Sequence, residues 1–223
     1  MNITKELQDI QNTLPGHVTL VAVSKTKPVS DLMEAYNAGQ RIFGENKIQE
    51  MCDKFEEMPK DIQWHMIGHV QRNKVKYMAP FVSLIHGVDN FKLLKEVNKQ
   101  AKSNERTINC LLQIKIAEED SKFGMSLNDA SEILKSEAFS DLKNITICGV
   151  MGMATFTDNM AQVENEFNTL QRAFNHLLSL QPENKAFKTI SMGMSGDYKL
   201  AISCGSTMVR VGSSIFGERN YNA

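Results

Sequence analysis

The sequence predicts a single (β/α)8 barrel. Short apolar runs rich in β-branched residues alternate along the chain with longer segments whose apolar residues recur at helical spacing, and this alternation is typical of a parallel sheet covered by helices. About eight such units fit into the 223 residues, which is the small end of the range for this barrel. A doubly wound open sheet is the alternative, because alternation alone does not show whether the sheet closes, but the count favours the barrel.

Each predicted strand is a short, mainly apolar run, and each predicted helix carries apolar residues three or four positions apart. The strands are predicted over Thr19–Ser24, Arg41–Gly44, Trp64–Gly68, Leu84–Val88, Cys110–Ile116, Ile145–Met151, Thr189–Met192 and Met208–Val211. The helices are predicted near Asp31–Ala38, Ile48–Glu57, Asn73–Met78, Phe91–Lys102, Leu127–Ser136, Gln162–Leu180 and Tyr198–Ser203. The last residues, 213–223, leave room for a closing helical turn and a tail. Since no Pro/Gly/Ser-rich linker divides the chain, we predict one domain over residues 1–223.

The composition excludes several classes of function. Hydrophobic residues make up 42% of the chain and charged residues 23%, which is far from the composition of disordered proteins. The 25 Lys and Arg residues nearly balance the 26 Asp and Glu residues, and both signs are spread along the sequence. No basic stripe is therefore present to neutralise phosphates, and we expect no nucleic-acid partner.

The cysteines and the N-terminal segment indicate a cellular location. The four cysteines, at positions 52, 110, 148 and 204, are too widely spaced for a disulfide framework or a paired zinc motif. The first 14 residues mix charges and amides with apolar residues, unlike a secretory or transit peptide. The longest strongly apolar run, Val18 to Val23, is far shorter than the roughly 20 residues of a membrane helix. We expect a cytoplasmic monomer with no membrane partner.

The first strand ends in a lysine that is a candidate for covalent chemistry. Ligands of this barrel bind at the C-terminal ends of the strands, and Lys25 follows the apolar run Thr19–Ser24. Partial burial and a nearby cation would lower the pKa of this amine, which would then be able to attack a carbonyl group. Lys27 lies two residues further and would share the same face if the strand continues. A pair of surface lysines is the alternative interpretation.

The loops after the last two strands predict an anion site. Gly212 and Ser213 follow strand eight and Ser195 follows strand seven, so that backbone N–H groups and hydroxyls are available at helix starts. The loops after strands seven and eight are the usual phosphate site of this fold, although two ordinary capped turns are the alternative. Arg210 lies inside the apolar strand eight, where a guanidinium is costly unless it meets a partner.

An amine, a phosphate site and a buried arginine across one barrel together indicate a single ligand. Pyridoxal 5′-phosphate (PLP) has an aldehyde, a phosphate and a ring nitrogen that match these three groups. An arginine at the ring nitrogen would keep the pyridine unprotonated, because the guanidinium is permanently charged. The ring would then be a weaker electron sink, which suits a protein that holds the cofactor or supports only mild proton transfers.

Five segments resemble one known family, the PLP homeostasis proteins, also called the YggS/PROSC family, and the resemblance spans nearly the whole chain. The segments are residues 22–28 (AVSKTKP), 43–46 (FGEN), 64–74 (WHMIGHVQRNK), 191–195 (SMGMS) and 205–212 (GSTMVRVG).

The resemblance implies the fold-type III barrel of the alanine racemase N-terminal domain and a cofactor-handling protein without established catalysis. It further implies that PLP is bound on Lys25, that Asn46 lies against the ring and that Arg210 faces the ring nitrogen. The phosphate would be held by Ser191, Ser195, Gly212 and Ser213.

Four positions depart from the usual family pattern. Lys115 stands where an asparagine is common, and Gly152 where a threonine is common, which changes the polar groups expected near the ring. Ser213 replaces a frequent threonine and keeps the hydroxyl. Gly87 replaces a frequent serine, and we expect it only to turn the chain.

Three functions fit these residues: a PLP-binding protein of cofactor homeostasis, which would deliver PLP to apo-enzymes; a PLP-dependent racemase; and a cofactor-free Schiff-base lyase. The first is favoured, because racemases of this fold take a second proton-transfer residue from a C-terminal domain that this chain is too short to supply. His65 and His69 are the candidates for that second residue here. Their i, i+4 spacing is also that of a zinc site on a helix, but a strand is predicted there, so we expect no metal.

Overall fold

A computed structural model describes residues 2–119 and 123–218 of the chain. Its eight strands are all parallel and form a closed barrel in the order β1 to β8. The strands are β1 Thr19–Val23, β2 Ile42–Glu45, β3 Gln63–Met66, β4 Leu84–Val88, β5 Ile108–Gln113, β6 Ile145–Met151, β7 Thr189–Ser191 and β8 Met208–Val211. The helices are α1 Ile3–Thr13, α2 Val29–Asn37, α3 Ile48–Glu57, α4 Val75–Met78, α5 Phe91–Ser103, α6 Leu127–Lys135, α7 Glu137–Ser140, α8 Met160–Ser179, α9 Tyr198–Ser203 and α10 Ser213–Phe216.

The pairing of the first and last strands closes the barrel. Thr19 pairs with Met208 and Ala22 with Val211, so β1 is hydrogen-bonded to β8 on one side and to β2 on the other. The predicted (β/α)8 barrel is therefore confirmed, and the open sheet is excluded. The prediction of one domain over residues 1–223 remains a prediction, since residues 219–223 lie outside the described chain.

Helix α1 was not predicted, although the sequence carries its signal. Ile3, Leu7 and Ile10 recur at helical spacing and are all buried. The Asn2 side chain caps the helix by accepting a hydrogen bond from the Lys5 N–H at 2.9 Å, as expected for an N-cap asparagine. The charged and amide residues between these apolar positions face outwards, and α1 packs against α2 and α10.

Strand β5 ends earlier than predicted. It stops at Gln113, and Ile114 beyond it forms only an isolated bridge with Met125. The short helix α7 was also not predicted. The other strands and most helices lie within two residues of their predicted positions.

Two apolar layers hold the barrel together. The larger lies between the strands and the helices and includes Phe43, Trp64 and Phe167. The smaller fills the barrel interior with Val21, Ile67, Leu84, Leu111, Met151 and Met208. Because strand residues alternate between the two faces of the sheet, the strands β1, β4, β5, β6 and β8 contribute buried residues to both layers.

Two further sequence expectations concern the described residues. No helix there is long and apolar enough to cross a membrane. The four cysteines are all free, and Cys110 and Cys204 are buried.

Replacing Gly149 with alanine is expected to destabilise the barrel. Gly149 in β6 has a φ of +145°, and a Cβ there would overlap the Thr189 carbonyl of β7. Backbone strain alone should lower the free energy of unfolding by about 1–3 kcal/mol. Gly16→Ala is the control, because nothing lies within 4 Å of a Cβ at Gly16. Urea unfolding of both variants measures the difference, and equal stabilities would contradict this interpretation.

Candidate functional site

Lys25 and Asn46 follow the neighbouring strands β1 and β2 at the mouth of the barrel. Val23 pairs with Gly44 at the ends of β1 and β2, and each predicted residue stands two positions beyond its half of that pair. Both side chains are half-buried. The parallel register therefore places these two predicted residues beyond the same end of two neighbouring strands.

The turn that carries Lys25 is tightly held. Strand β1 ends at Val23, so it does not continue to Lys27 and the two lysines do not share a strand face. The Lys27 ammonium instead donates hydrogen bonds to the carbonyl oxygens of Phe216 and Glu218, at 2.7 and 2.8 Å. Lys27 thus binds the carbonyl groups at and after the C-terminal end of α10.

Ser195 and Gly212 connect the loops after β7 and β8. The Gly212 N–H donates a hydrogen bond to the Ser195 Oγ at 3.2 Å, and Ser213 directly follows as the first residue of α10. A Cβ at Gly212 would lie 3.0 Å from the Val23 carbonyl oxygen. Glycine therefore lets this loop approach the end of β1, next to the residues that lead to Lys25.

Arg210 and Ser191 lie deeper, inside the barrel. The Arg210 Nη1 donates to the Ser191 Oγ at 2.6 Å, and its Nη2 donates to the Gly152 carbonyl at 3.1 Å. Ser191 is completely buried. The structure thus brings Ser191 to the guanidinium, whereas Ser195 bonds Gly212.

Two histidines extend this network across the barrel. The His86 Nδ1 lies 3.0 Å from the Ser191 Oγ, and the His86 Nε2 lies 3.1 Å from the His65 Nδ1. Four side chains from β8, β7, β4 and β3 therefore form one hydrogen-bonded chain above the apolar interior. The sequence analysis did not identify His86, although its place in an apolar strand run was a signal.

Burial determines the charges of the arginine and the two histidines in this hydrogen-bonded network. It lowers the pKa of Arg210 to about 10, which leaves the guanidinium charged at neutral pH. It lowers the pKa of His65 to about 3, and burial and the neighbouring His65 and Arg210 lower the pKa of His86 as well. The network thus contains one cation and two neutral imidazoles.

The sequence analysis also missed a buried charge cluster beside Lys25. The Lys54 ammonium of α3 donates to the Ser24 carbonyl, to Glu45 Oε1 and to Glu50 Oε1, each at 2.8 Å. The Glu45 side chain is completely buried, and burial raises its pKa to about 6. Its position directly before Asn46 in the motif over residues 43–46 was the available signal.

The departures from the family pattern have different structural settings. Lys115 is exposed, whereas Gly152 supplies a carbonyl to Arg210. Gly87 is a residue of β4 rather than a turn, which corrects the expectation that it only turns the chain. A Cβ at Gly87 would lie 2.5 Å from the Gly68 carbonyl oxygen. Glycine therefore fits here because the backbone of β4 lies close to the backbone that follows β3.

His69 lies at the rim of the mouth, apart from His65. Its ring stacks on Phe123 at a centroid distance of 4.5 Å, and its Nδ1 lies 3.5 Å from the Asp89 carboxylate. Within residues 2–119 and 123–218, no group of three His, Cys, Asp or Glu side chains is placed to hold a metal ion.

Comparison with known proteins identifies the family. A family model described as "Alanine racemase, N-terminal domain" matches residues 1–220. A pyridoxal phosphate homeostasis protein of Haemophilus influenzae is 40% identical over 98% of this chain and 90% of its own length. The fold and these matches define a barrel of the alanine racemase N-terminal domain class. The chain belongs to this family and, within it, to the pyridoxal phosphate homeostasis proteins.

Two solved structures support the same assignment at different levels. PipY of Synechococcus elongatus PCC7942, solved with PLP bound, has a TM-score of 0.87 and 32% identity, and the match covers 96% of this chain and all of PipY. Alanine racemase from E. faecalis has a TM-score of 0.77 and 15% identity, and the match covers 97% of this chain and 58% of the racemase. The second likeness shows the common fold alone.

The two buried histidines predict acid sensitivity. In the unfolded chain a histidine takes up a proton below about pH 6.5, whereas folded His65 stays neutral down to about pH 3. The unfolded state therefore binds more protons, and the free energy of unfolding falls as the pH is lowered through this range, by at most about 1.4 kcal/mol per pH unit for each histidine. Glu45, with its raised pKa, acts in the opposite direction between pH 4.5 and about 6.

Urea unfolding at a series of pH values would measure this effect. We expect His86→Gln to have a smaller pH slope than the wild type, because the variant has one fewer buried histidine. Glu45 is present in both proteins and cancels in the comparison. Equal slopes would show that His86 is not held neutral.

Proposed function

We propose that this protein binds PLP as a Schiff base on Lys25 and acts in intracellular PLP homeostasis, without substantial catalysis. The observation that carries the proposal is the convergence at one barrel mouth of an amine after β1, a guanidinium in β8 and the Ser195–Gly212 loop. The names of the relatives and the PLP in the PipY structure support it.

The residues present fit the three polar ends of PLP. A Cβ at Gly212 would fill the space between the β8 loop and Val23, and the first N–H groups of α10 have no partner within the helix. With the Ser195 and Ser213 hydroxyls, these groups are donors suited to a phosphate. Arg210 offers a fixed donor to a ring nitrogen, and Lys25 is the amine at the neighbouring strand end.

Lys25 supplies the covalent link in this proposal. Its Nζ would form the double bond to the aldehyde carbon, and the aldehyde oxygen would leave as water with two amine protons. When bound, PLP supplies an electron-withdrawing ring conjugated to this bond. Half-burial of Lys25 limits the access of the water that would reverse the reaction.

The remaining predicted residues orient the ring. Asn46 follows the strand next to that of Lys25 and would lie against the ring, as the resemblance implies. Arg210 would face the ring nitrogen, as the resemblance implies. For Ser191 we replace the phosphate contact with a positioning role, because its buried hydroxyl accepts the 2.6 Å hydrogen bond from Arg210.

The absence of substantial catalysis is inferred from the groups around the mouth. Racemisation needs an acid and a base on opposite faces of the substrate carbon. His65 is buried against His86, and the hydroxyls of Tyr36 and Tyr198 bond Asp61 and Thr13. Arg210 at the ring nitrogen would also leave a carbanion poorly stabilised. We propose, in addition, that the protein is a cytoplasmic monomer and that apo-enzymes receive its PLP.

Lys25→Ala is expected to abolish the visible absorption of the PLP-loaded protein, because it removes the amine that forms the Schiff base. Lys27→Ala is the matched control and should keep the absorption, since Lys27 binds the carbonyls of Phe216 and Glu218. Absorption spectra after incubation with PLP, followed by borohydride reduction and peptide mapping, measure both. A colourless wild type would rule out PLP bound as a Schiff base. Reduced PLP found on Lys27 would show that Lys27, not Lys25, forms the link.

The loaded protein is expected to exchange the α-proton of amino acids far more slowly than the roughly 1–1000 turnovers per second common among enzymes. Single enantiomers of alanine and serine, incubated in deuterated water and followed by NMR, provide the measurement. Exchange at ordinary enzyme rates that is lost in Lys25→Ala would favour the racemase. His69→Ala would then test the one mouth histidine at the rim.

A further inference from the structure

The two residues that flank Lys25 are held by the same buried cluster. On one side, the Ser24 carbonyl accepts a hydrogen bond from Lys54 at 2.8 Å and the Ser24 Oγ donates to Glu45 Oε1 at 2.6 Å. On the other side, the Thr26 N–H donates to Glu50 Oε1 at 2.5 Å. The backbone is therefore fixed immediately before and immediately after Lys25.

Lys54 joins these two halves. Its ammonium donates to both Glu45 Oε1 and Glu50 Oε1, as well as to the Ser24 carbonyl. An ammonium has three protons, so all of its donor capacity is used within the cluster. The Lys54 side chain is only 7% exposed. With its protons engaged and a carboxylate on each side, Lys54 is not available as a second Schiff-base amine.

The turn needs such a support, because its backbone is strained. Thr26 has a φ of +64°, in the left-handed region that β-branched residues rarely adopt. A residue keeps such a conformation only where its surroundings fix it. The bond from the Thr26 N–H to Glu50 is one such restraint, and Glu50 is in turn bound by Lys54.

We propose that Lys54, together with Glu45 and Glu50, is a positioning group that fixes the turn and so presents the Lys25 amine to the aldehyde of the ligand. This inference rests on the proposed function. Lys54 itself does not touch the ligand, because its three bonds lie within the cluster. It acts through Ser24 and Thr26, and its contribution is to the orientation of Lys25 rather than to the affinity for phosphate or ring.

Two ligands separate orientation of the amine from binding of the ring. Pyridoxine 5′-phosphate has a hydroxymethyl group where PLP has its aldehyde, so it can fill the same site but cannot react with Lys25. We expect Lys54→Met to slow Schiff-base formation with PLP by about ten- to a hundredfold, the scale expected for small misplacements of a reacting group. The dissociation constant for pyridoxine 5′-phosphate should stay within about twofold, since Arg210, Ser195 and Gly212 are unchanged.

Glu50 provides a second pair of variants if Lys54→Met fails to fold. The Glu50 side chain is 23% exposed, and Glu50→Ala removes the acceptor of the Thr26 N–H. Schiff-base formation should be slowed again. Glu50→Gln keeps an acceptor oxygen at the same place and should restore most of the rate, which a loss of stability alone would not predict.

Stopped-flow absorbance of PLP and fluorescence titration of pyridoxine 5′-phosphate provide the two readouts. Val97→Ala, in the buried face of α5, is the control for general destabilisation and should leave both readouts unchanged. Unchanged Schiff-base formation in Lys54→Met and Glu50→Ala would overturn the inference, as would a parallel loss of affinity for both ligands. A wild type that binds neither ligand would instead overturn the proposed function, and this inference with it.

Discussion

The hydrogen-bonded pairing of β1 with β8 is the constraint on which the site depends. Residues at the two ends of a 223-residue chain meet only because this pairing closes the barrel. It places the turn with Lys25 next to the loop of Gly212, and β8 carries Arg210 into the same interior. In a doubly wound open sheet, the first strand lies inside the sheet and the last strand lies at an edge, so the two would not pair. Closure therefore determines the site as well as the fold.

The site also buries two cations, Arg210 and Lys54, and two different networks supply their hydrogen-bond acceptors. Removing one partner of a buried ion pair costs about 3–5 kcal/mol, so each buried cation needs a complete set of acceptors. Arg210 finds neutral ones, the Ser191 hydroxyl and the Gly152 carbonyl. Lys54 finds two carboxylates and a carbonyl. The hydrogen-bond partners of Arg210 are uncharged and Asp197 acts on it only as a nearby charge, whereas two carboxylates bond Lys54 directly and balance its charge within the cluster.

Periodicity predicted the barrel, and the end of the first predicted strand predicted Lys25, whereas Asn46 was implied by the family resemblance. The sequence did not predict the partner of Ser191, since a serine at the end of a strand is equally suited to a phosphate or to an arginine. It also missed Lys54, which lies in an amphipathic helix at a position that periodicity alone does not distinguish from a surface lysine. Partners far apart in the chain depend on side-chain packing, which no local pattern contains.

Under the proposed function, the two networks together would let one barrel hold a reactive aldehyde while promoting little chemistry. The cluster around Lys54 would orient the amine, which favours formation of the covalent link. The arginine with neutral partners would leave a ring nitrogen unprotonated, so electrons released at a substrate carbon would find a weak acceptor. Catalysis requires groups that act more strongly on the transition state than on the bound state. A site that stabilises the link without stabilising the carbanion is suited to holding a cofactor and to releasing it to another amine.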